Sequence, residues 1–143
     1  MDIQFRMIAS TDLGSMLPLL YTLNNGAISE ELLNERILEM AEQNYECLGM
    51  YKGNDLIGIC GMWFQTRHYA GKSCEIDHVI IDNAYRGLGI GNKMMEFVYD
   101  HAKSKGCRWV ELNTYVDNFA SHKFYNNQNF VAKGYHFVKD ITL

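Results

Sequence analysis

The sequence predicts an α+β domain, a mixed α/β sheet with helices on both faces. Apolar runs of strand character recur along the chain, and stretches of helical period with capping residues interrupt them. Their order reads β-α-α-β-β-β-α-β-α-β-β. It begins as an antiparallel meander joined by short turns and ends in β-α-β units. The 143 residues fit one domain, residues 1–143, and 48% apolar content supplies a core.

Ile3 to Ile8 alternates as a first strand does. Ser10, Thr11 and Asp12 offer N-cap residues for a short helix to about Leu20, which Pro18 would break or bend. Asn24-Asn25-Gly26 reads as a loop. Ser29 caps a second helix, with Glu30 and Glu31 at its positive end and Leu33, Ile37, Met40 and Ala41 as its apolar stripe. Two strands, about 45–51 and 56–65, flank the turn Lys52-Gly53-Asn54-Asp55. A loop over 67–73 leads to a strand over 74–82. A helix then follows the glycine-rich stretch 86–91 and runs to Lys105, where Gly106 stops it; Met94, Met95, Val98 and Ala102 share its inner face. A strand over 109–115, a short helix from Asn118 to about Gln128, and two strands at 130–132 and 136–141 complete the chain.

Composition narrows the function. The net charge of −4, with no run of Lys or Arg, argues against nucleic acid as a partner. The N-terminus lacks a secretory pattern, and no window approaches the ~20 apolar residues that span a bilayer. A cytoplasmic protein with no membrane partner is expected. Cys47, Cys60, Cys74 and Cys107 show no C-x-x-C spacing and read as free thiols in a reducing compartment. No His/Cys/Asp grouping has metal-ligand spacing, so no metal is expected.

The chemistry concentrates in Tyr85-Arg86-Gly87-Leu88-Gly89-Ile90-Gly91-Asn92, between a strand and a helix. Glycines let the backbone approach a ligand, and the amides of Gly87 to Asn92 at a helix start form an anion site suited to a diphosphate. A ligand-free connection and a dinucleotide-binding turn are alternatives. The second needs G-x-G-x-x-G directly after its strand, whereas Asn92 occupies the third glycine position and residues 83–86 intervene. The remaining reading is the form R/Q-x-x-G-x-G/A, which Arg86, Gly89 and Gly91 match.

With Val79-Ile80-Ile81-Asp82-Asn83-Ala84 before it, this stretch closely resembles the acetyl-CoA diphosphate motif of the GNAT acetyltransferase superfamily. Downstream, Asn118-Phe119-Ala120-Ser121-His122-Lys123-Phe124-Tyr125 resembles the family's second signature, with Asn129 where a glycine is usual. The resemblance covers roughly residues 74–130. It implies a GNAT-like fold, a central, mostly antiparallel twisted sheet of about six to seven strands with helices on both faces. It also implies acetyl-CoA as co-substrate, bound by Arg86, Gly87, Leu88, Gly89, Ile90, Gly91 and Asn92. The backbone of Val79, Ile80 and Ile81 would hold pantetheine, and one amide there would polarise the thioester carbonyl. Asn118 would bond pantetheine, and Tyr125 would assist the departing sulfur; a phenol of pKa near 10 suits that task.

An attacking ammonium must lose a proton. Glu75 and Asp77 lie two apart on one strand and so share a face. The resemblance aligns Glu75 with the base of histone-acetylating members and Asp77 with an acid of polyamine-acetylating ones. Either could act as base, directly or through water, or bind a cationic substrate. His78 would face the other way unless a bulge intervenes. Trp63, Phe64 and Tyr69 are candidates for the acceptor pocket. The expected activity is direct acetyl transfer to a primary amine of a small molecule, cationic or not, without a covalent enzyme intermediate. The alternatives are a peptide or protein acceptor, and a non-catalytic acyl-CoA-binding module. A homodimer is common in the family and is the expected assembly.

Overall fold

The computed structural model describes residues 2–143. They form two compact units, residues 2–111 and 112–143.

The first unit is built on the sheet. β1 (Gln4–Met7), β2 (Tyr45–Lys52), β3 (Asp55–Arg67), β4 (Gly71–Ile81) and β5 (Trp109–Leu112) lie in the order β1-β2-β3-β4-β5. The first three pairings are antiparallel, with Phe5 opposite Met50, Tyr45 opposite Trp63, and Trp63 opposite Glu75. The segment expected as a loop over 67–73 is largely ladder: Gln65, Thr66 and Arg67 pair with Ser73, Lys72 and Gly71. Only residues 68–70 turn, because Gly71 takes a φ of +72° and lets the strands join tightly.

Both faces carry helices. On one, Tyr45, Cys47, Tyr51, Ile59 and Ile80 pack with Leu13, Met16, Leu20, Leu33 and Ile37. Those partners come from a 3-10 turn at Ser10–Met16, from α1 (Leu17–Leu23) and from α2 (Glu30–Ala41). Pro18 divides the expected first helix as the sequence implied. It sits in the first turn of α1, where its missing N–H leaves no helical bond unmade. Ser29 caps α2 by accepting the Leu32 N–H at 3.1 Å. On the other face α3 (Ile90–Ser104) buries Ile90, Met94, Met95, Val98 and Ala102. Glu46 of β2 reaches that face and binds His101, at 3.0 Å, and Lys105. The helix ends at Gly106, with the Cys107 N–H returning to Ala102 O at 2.9 Å.

β5 starts beside the start of β4, where the Arg108 N–H meets Lys72 O at 2.9 Å. Its strand ends at Leu112 rather than near 115.

The second unit holds α4 (Phe119–Asn127). The two strands expected at 130–132 and 136–141 do not form, so the sheet has five strands instead of six to seven. Strand propensity acts through packing on a half-buried surface. Val131, Tyr135, Phe137, Val138 and Ile141 are all at least 75% exposed, so no burial enforces the pairing. All four cysteines are free, and Cys47, Cys60 and Cys74 are buried. Among the described residues, no helix is long and apolar enough to cross a membrane.

Candidate active site

The glycine-rich turn leads out of β4. The Asp82 side chain accepts the Ala84 N–H at 2.9 Å and starts a single 3-10 turn, Asn83–Tyr85. Arg86 then anchors the exit by donating from Nε to Ile81 O at 3.1 Å. Gly87 and Gly89 take φ values of +77° and +75°, where L side chains are strained. Gly89 is the N-cap of α3, and no side chain caps that end. The backbone N–H groups of Gly89, Ile90 and Gly91 therefore have no helical acceptor, since the ladder begins with Lys93 bonding to Gly89 O. A Cβ added at Gly87 or Gly89 would meet nothing within 4 Å, so the space beside these amides is open. Amide donors without helical acceptors, the positive end of a fifteen-residue helix and open space beside the glycines fit a diphosphate.

β4 pairs with β3 through Val79, Ile80 and Ile81, opposite Cys60, Ile59 and Gly58. Its other neighbour in the sheet is β5, of four residues.

Between the pairs Cys60–Val79 and Met62–Ile76 the register shifts, so Gly61 alone faces both Asp77 and His78. This is a β-bulge. In a regular strand these neighbours would point to opposite faces. Here Asp77 Oδ2 accepts the Trp63 indole N–H at 2.9 Å and lies 3.6 Å from His78 Nδ1. His78 Nε2 shares a hydrogen bond with the Tyr45 hydroxyl at 2.6 Å. The interaction with His78, with Trp63 adding to it, holds the Asp77 carboxyl below the usual carboxylate range against the pull of burial. The Asp77 side chain is half exposed, so an ionised carboxylate stands at the surface of the bulge.

Glu75 is placed differently. Gln65 Nε2 donates to its Oε1 at 2.9 Å, and Arg67 lies 3.7 Å away. Arg67 Nη1 also meets both Glu111 oxygens, at 2.6 and 2.5 Å. Glu75 thus belongs to an ion-pair network across β3, β4 and β5. Of the expected pocket aromatics, Trp63 comes to Asp77. Phe64 is buried beneath Lys105 and beside His101, and Tyr69 is exposed with its ring against His68.

In the second unit Asn118 is the N-cap of α4, and its side chain accepts the Ser121 N–H at 3.2 Å. That use leaves its amide NH₂ group to donate elsewhere. Tyr125 is half-buried with its ring against Phe124 and Phe130, at 5.0 and 5.4 Å. Asn129 takes a φ of +67° and ends the helix, with the Phe130 N–H returning to Tyr125 O at 2.9 Å.

Comparison with known proteins decides the family. The model of the acetyltransferase (GNAT) family matches residues 15–130, across both units. The chain belongs to the GNAT acetyltransferase family. Over 48 residues, 34% of this GNAT chain, it is 44% identical to a glucosamine 6-phosphate N-acetyltransferase of Arabidopsis thaliana, of which the match covers 32%. Over 59 residues, 41% of the chain, it is 36% identical to an uncharacterized N-acetyltransferase of Methanocaldococcus jannaschii, of which the match covers 26%. The matches therefore span less than a third of either relative. Among solved structures, the aminoglycoside N-acetyltransferase AAC(6')-Iy in complex with CoA has a TM-score of 0.84 at 15% identity, covering 98% of this chain and 95% of that one. That likeness concerns the fold.

The features of this GNAT chain that motif reading did not single out are Tyr45 and Gly61; the bulge enters there only as the condition under which His78 would turn. Their sequence signal is a glycine inside a strand of bulky residues, Cys60-Gly61-Met62-Trp63, which marks a bulge or a close approach. Among the described residues, no group of three or more His, Cys, Asp or Glu could hold a metal.

Proposed function

We propose that this GNAT acetyltransferase uses acetyl-CoA as donor and acetylates a primary amine of a small, cationic molecule by direct transfer, all within residues 1–143. The observation that carries the reading is the open glycine turn at the uncapped start of α3. Arg86, Gly87, Leu88, Gly89, Ile90, Gly91 and Asn92 would hold the donor's diphosphate there. The donor supplies an activated acyl group. The backbone of Val79, Ile80 and Ile81 would hold its pantetheine arm, and an amide of that stretch would polarise the reacting carbonyl. Asn118 keeps an NH₂ donor for the same arm. Tyr125 would donate a proton or hydrogen bond to the leaving sulfur.

The environments of the two acids divide their roles. Glu75 is engaged by Gln65 and Arg67 and maintains the strand network. Asp77 is ionised and half exposed, with Trp63 and His78 both at its Oδ2. Its depressed pKa suits holding an ammonium and passing the proton to water more than keeping it. The sequence relative acts on glucosamine 6-phosphate and the structural neighbour on aminoglycosides, by their names, and both support a small amine. A homodimer is part of this reading on family resemblance alone.

The test measures free thiol released from acetyl-CoA with a panel of spermidine, neamine, glucosamine 6-phosphate and a lysyl peptide. Turnover of a small amine is expected, with kcat lowered about 100-fold by Tyr125→Phe, the usual scale for a lost general acid. Thioester binding without turnover of any amine would make the chain a binding module. Preference for the peptide would replace the small-molecule acceptor.

A further inference from the structure

The hydrogen bond between Tyr45 and His78 over Gly61 has no part in the reading above. Tyr45 is 5% exposed, and burial raises its hydroxyl pKa, so it stays a neutral phenol. A buried hydroxyl needs a partner, and His78 Nε2 at 2.6 Å provides it; Met16 Sδ, at 3.6 Å, is a weak second one. Asp77 on the far side of the imidazole favours a proton on Nδ1, which leaves Nε2 to accept the Tyr45 O–H. Two apolar side chains would fill the same space without needing to satisfy each other.

The surroundings are shaped to this pair. A Cβ on Gly61 would lie 2.4 Å from His78 Nε2 and 2.6 Å from the Tyr45 hydroxyl. Gly61 is therefore the residue that leaves room for the two groups to meet. Trp63 stands opposite Tyr45 with its ring 4.9 Å away, and it donates to the same Asp77 oxygen that His78 approaches. Both contacts that hold Asp77 thus lead back to Tyr45. The Asp77 side chain itself is half exposed.

We propose that Tyr45 and His78 are positioning residues for the acceptor: their hydrogen bond over Gly61 fixes the β4 bulge so that Asp77 presents its carboxylate to the incoming ammonium. This rests on the proposed role of Asp77. The donor side is held separately, by the ladder of Val79–Ile81 to β3 and by the α3 turn. Loss of the pair therefore acts on the amine and spares the thioester.

The test is Tyr45→Phe, which removes one oxygen and changes no shape, with donor and acceptor concentrations varied separately. The acceptor is the panel amine that the wild type turns over fastest. Its KM should rise about tenfold, the equivalent of one buried hydrogen bond lost. The KM and calorimetric affinity of acetyl-CoA should stay within about twofold, as no donor contact is lost. Gly61→Ala should act in the same direction by pushing the imidazole away. His78→Gln places an amide near the Nε2 position and should recover part of what His78→Ala loses. The imidazole ¹⁵N resonances of His78 should shift in Tyr45→Phe. If Tyr45→Phe fails to fold, Gly61→Ala and His78→Gln carry the same comparison. Folded variants with lower melting temperatures but wild-type acceptor KM would make the pair merely structural, and equal losses for donor and acceptor would do the same. A wild type inert toward every amine defeats the underlying reading and this inference together, whereas an active wild type with unmoved variants defeats the inference alone.

Discussion

Asp77 is the side chain whose charge the fold controls most visibly. Its carboxyl is held below the ordinary aspartate value by His78 and Trp63, so the native state binds fewer protons there than the unfolded chain. That stabilisation is complete above the unfolded pKa and disappears as pH falls through the folded one. Asp77→Asn should lower the melting temperature at pH 7, and the gap from wild type should close below about pH 4. Melts at pH 7, 5, 4 and 3 check this, and a gap that is constant with pH would show that the charge contributes nothing. The same substitution should raise the acceptor KM at neutral pH, because an amide cannot pair with an ammonium. Gly89 offers a second residue-level test. At a φ of +75°, alanine meets no steric obstacle but adopts a conformation that costs it about 1–2 kcal/mol. Gly89→Ala should relieve that strain by tilting the turn, with CoA affinity falling about tenfold by calorimetry.

Helix ends decide how these residues are presented. Asn129 ends α4 at a φ of +67°, which glycine adopts without strain. Asn129→Gly should therefore stabilise the protein by up to about 1 kcal/mol in urea unfolding, and an unchanged midpoint would contradict that account. This position was legible in advance, since Asn stands where a C-capping residue must go. So were the Ser29 cap, the Gly106 stop, the place of Pro18 and the glycine turn, because each is fixed by neighbours within one turn of the chain. The bulge was not. Whether Asp77 and His78 share a face depends on the register against β3, and only Gly61, fifteen or more residues upstream, betrays it. Tyr45 is more distant still, and its role follows from lying opposite Trp63. The two C-terminal strands were expected at 130–132 and 136–141, and apolar residues without a buried face do not hold a ladder.

At the scale of the molecule, the proposed donor binding is linked to folding. The first unit keeps its apolar side chains on both sheet faces, with Leu48, Met50, Met62, Met94, Met95 and Val98 fully buried. The proposed diphosphate site stands on the same α3 whose inner face supplies three of these residues. The turn has its left-handed glycines and aligned amides only while α3 is formed and packed, so a CoA thioester should bind the native chain and ignore the unfolded one. At about 100 times its Kd, such a ligand adds about 2.7 kcal/mol to stability. For a chain of this size that raises the melting temperature by roughly 5–10 °C. The shift should grow with the logarithm of acetyl-CoA concentration, shrink in Gly89→Ala, and persist in Asp77→Asn, which lies on the acceptor side. A scan of melting temperature against acetyl-CoA for the three proteins measures all of this at once. No shift in the wild type would remove the anion site at the start of α3, and an equal shift in Gly89→Ala would move the site elsewhere on the fold.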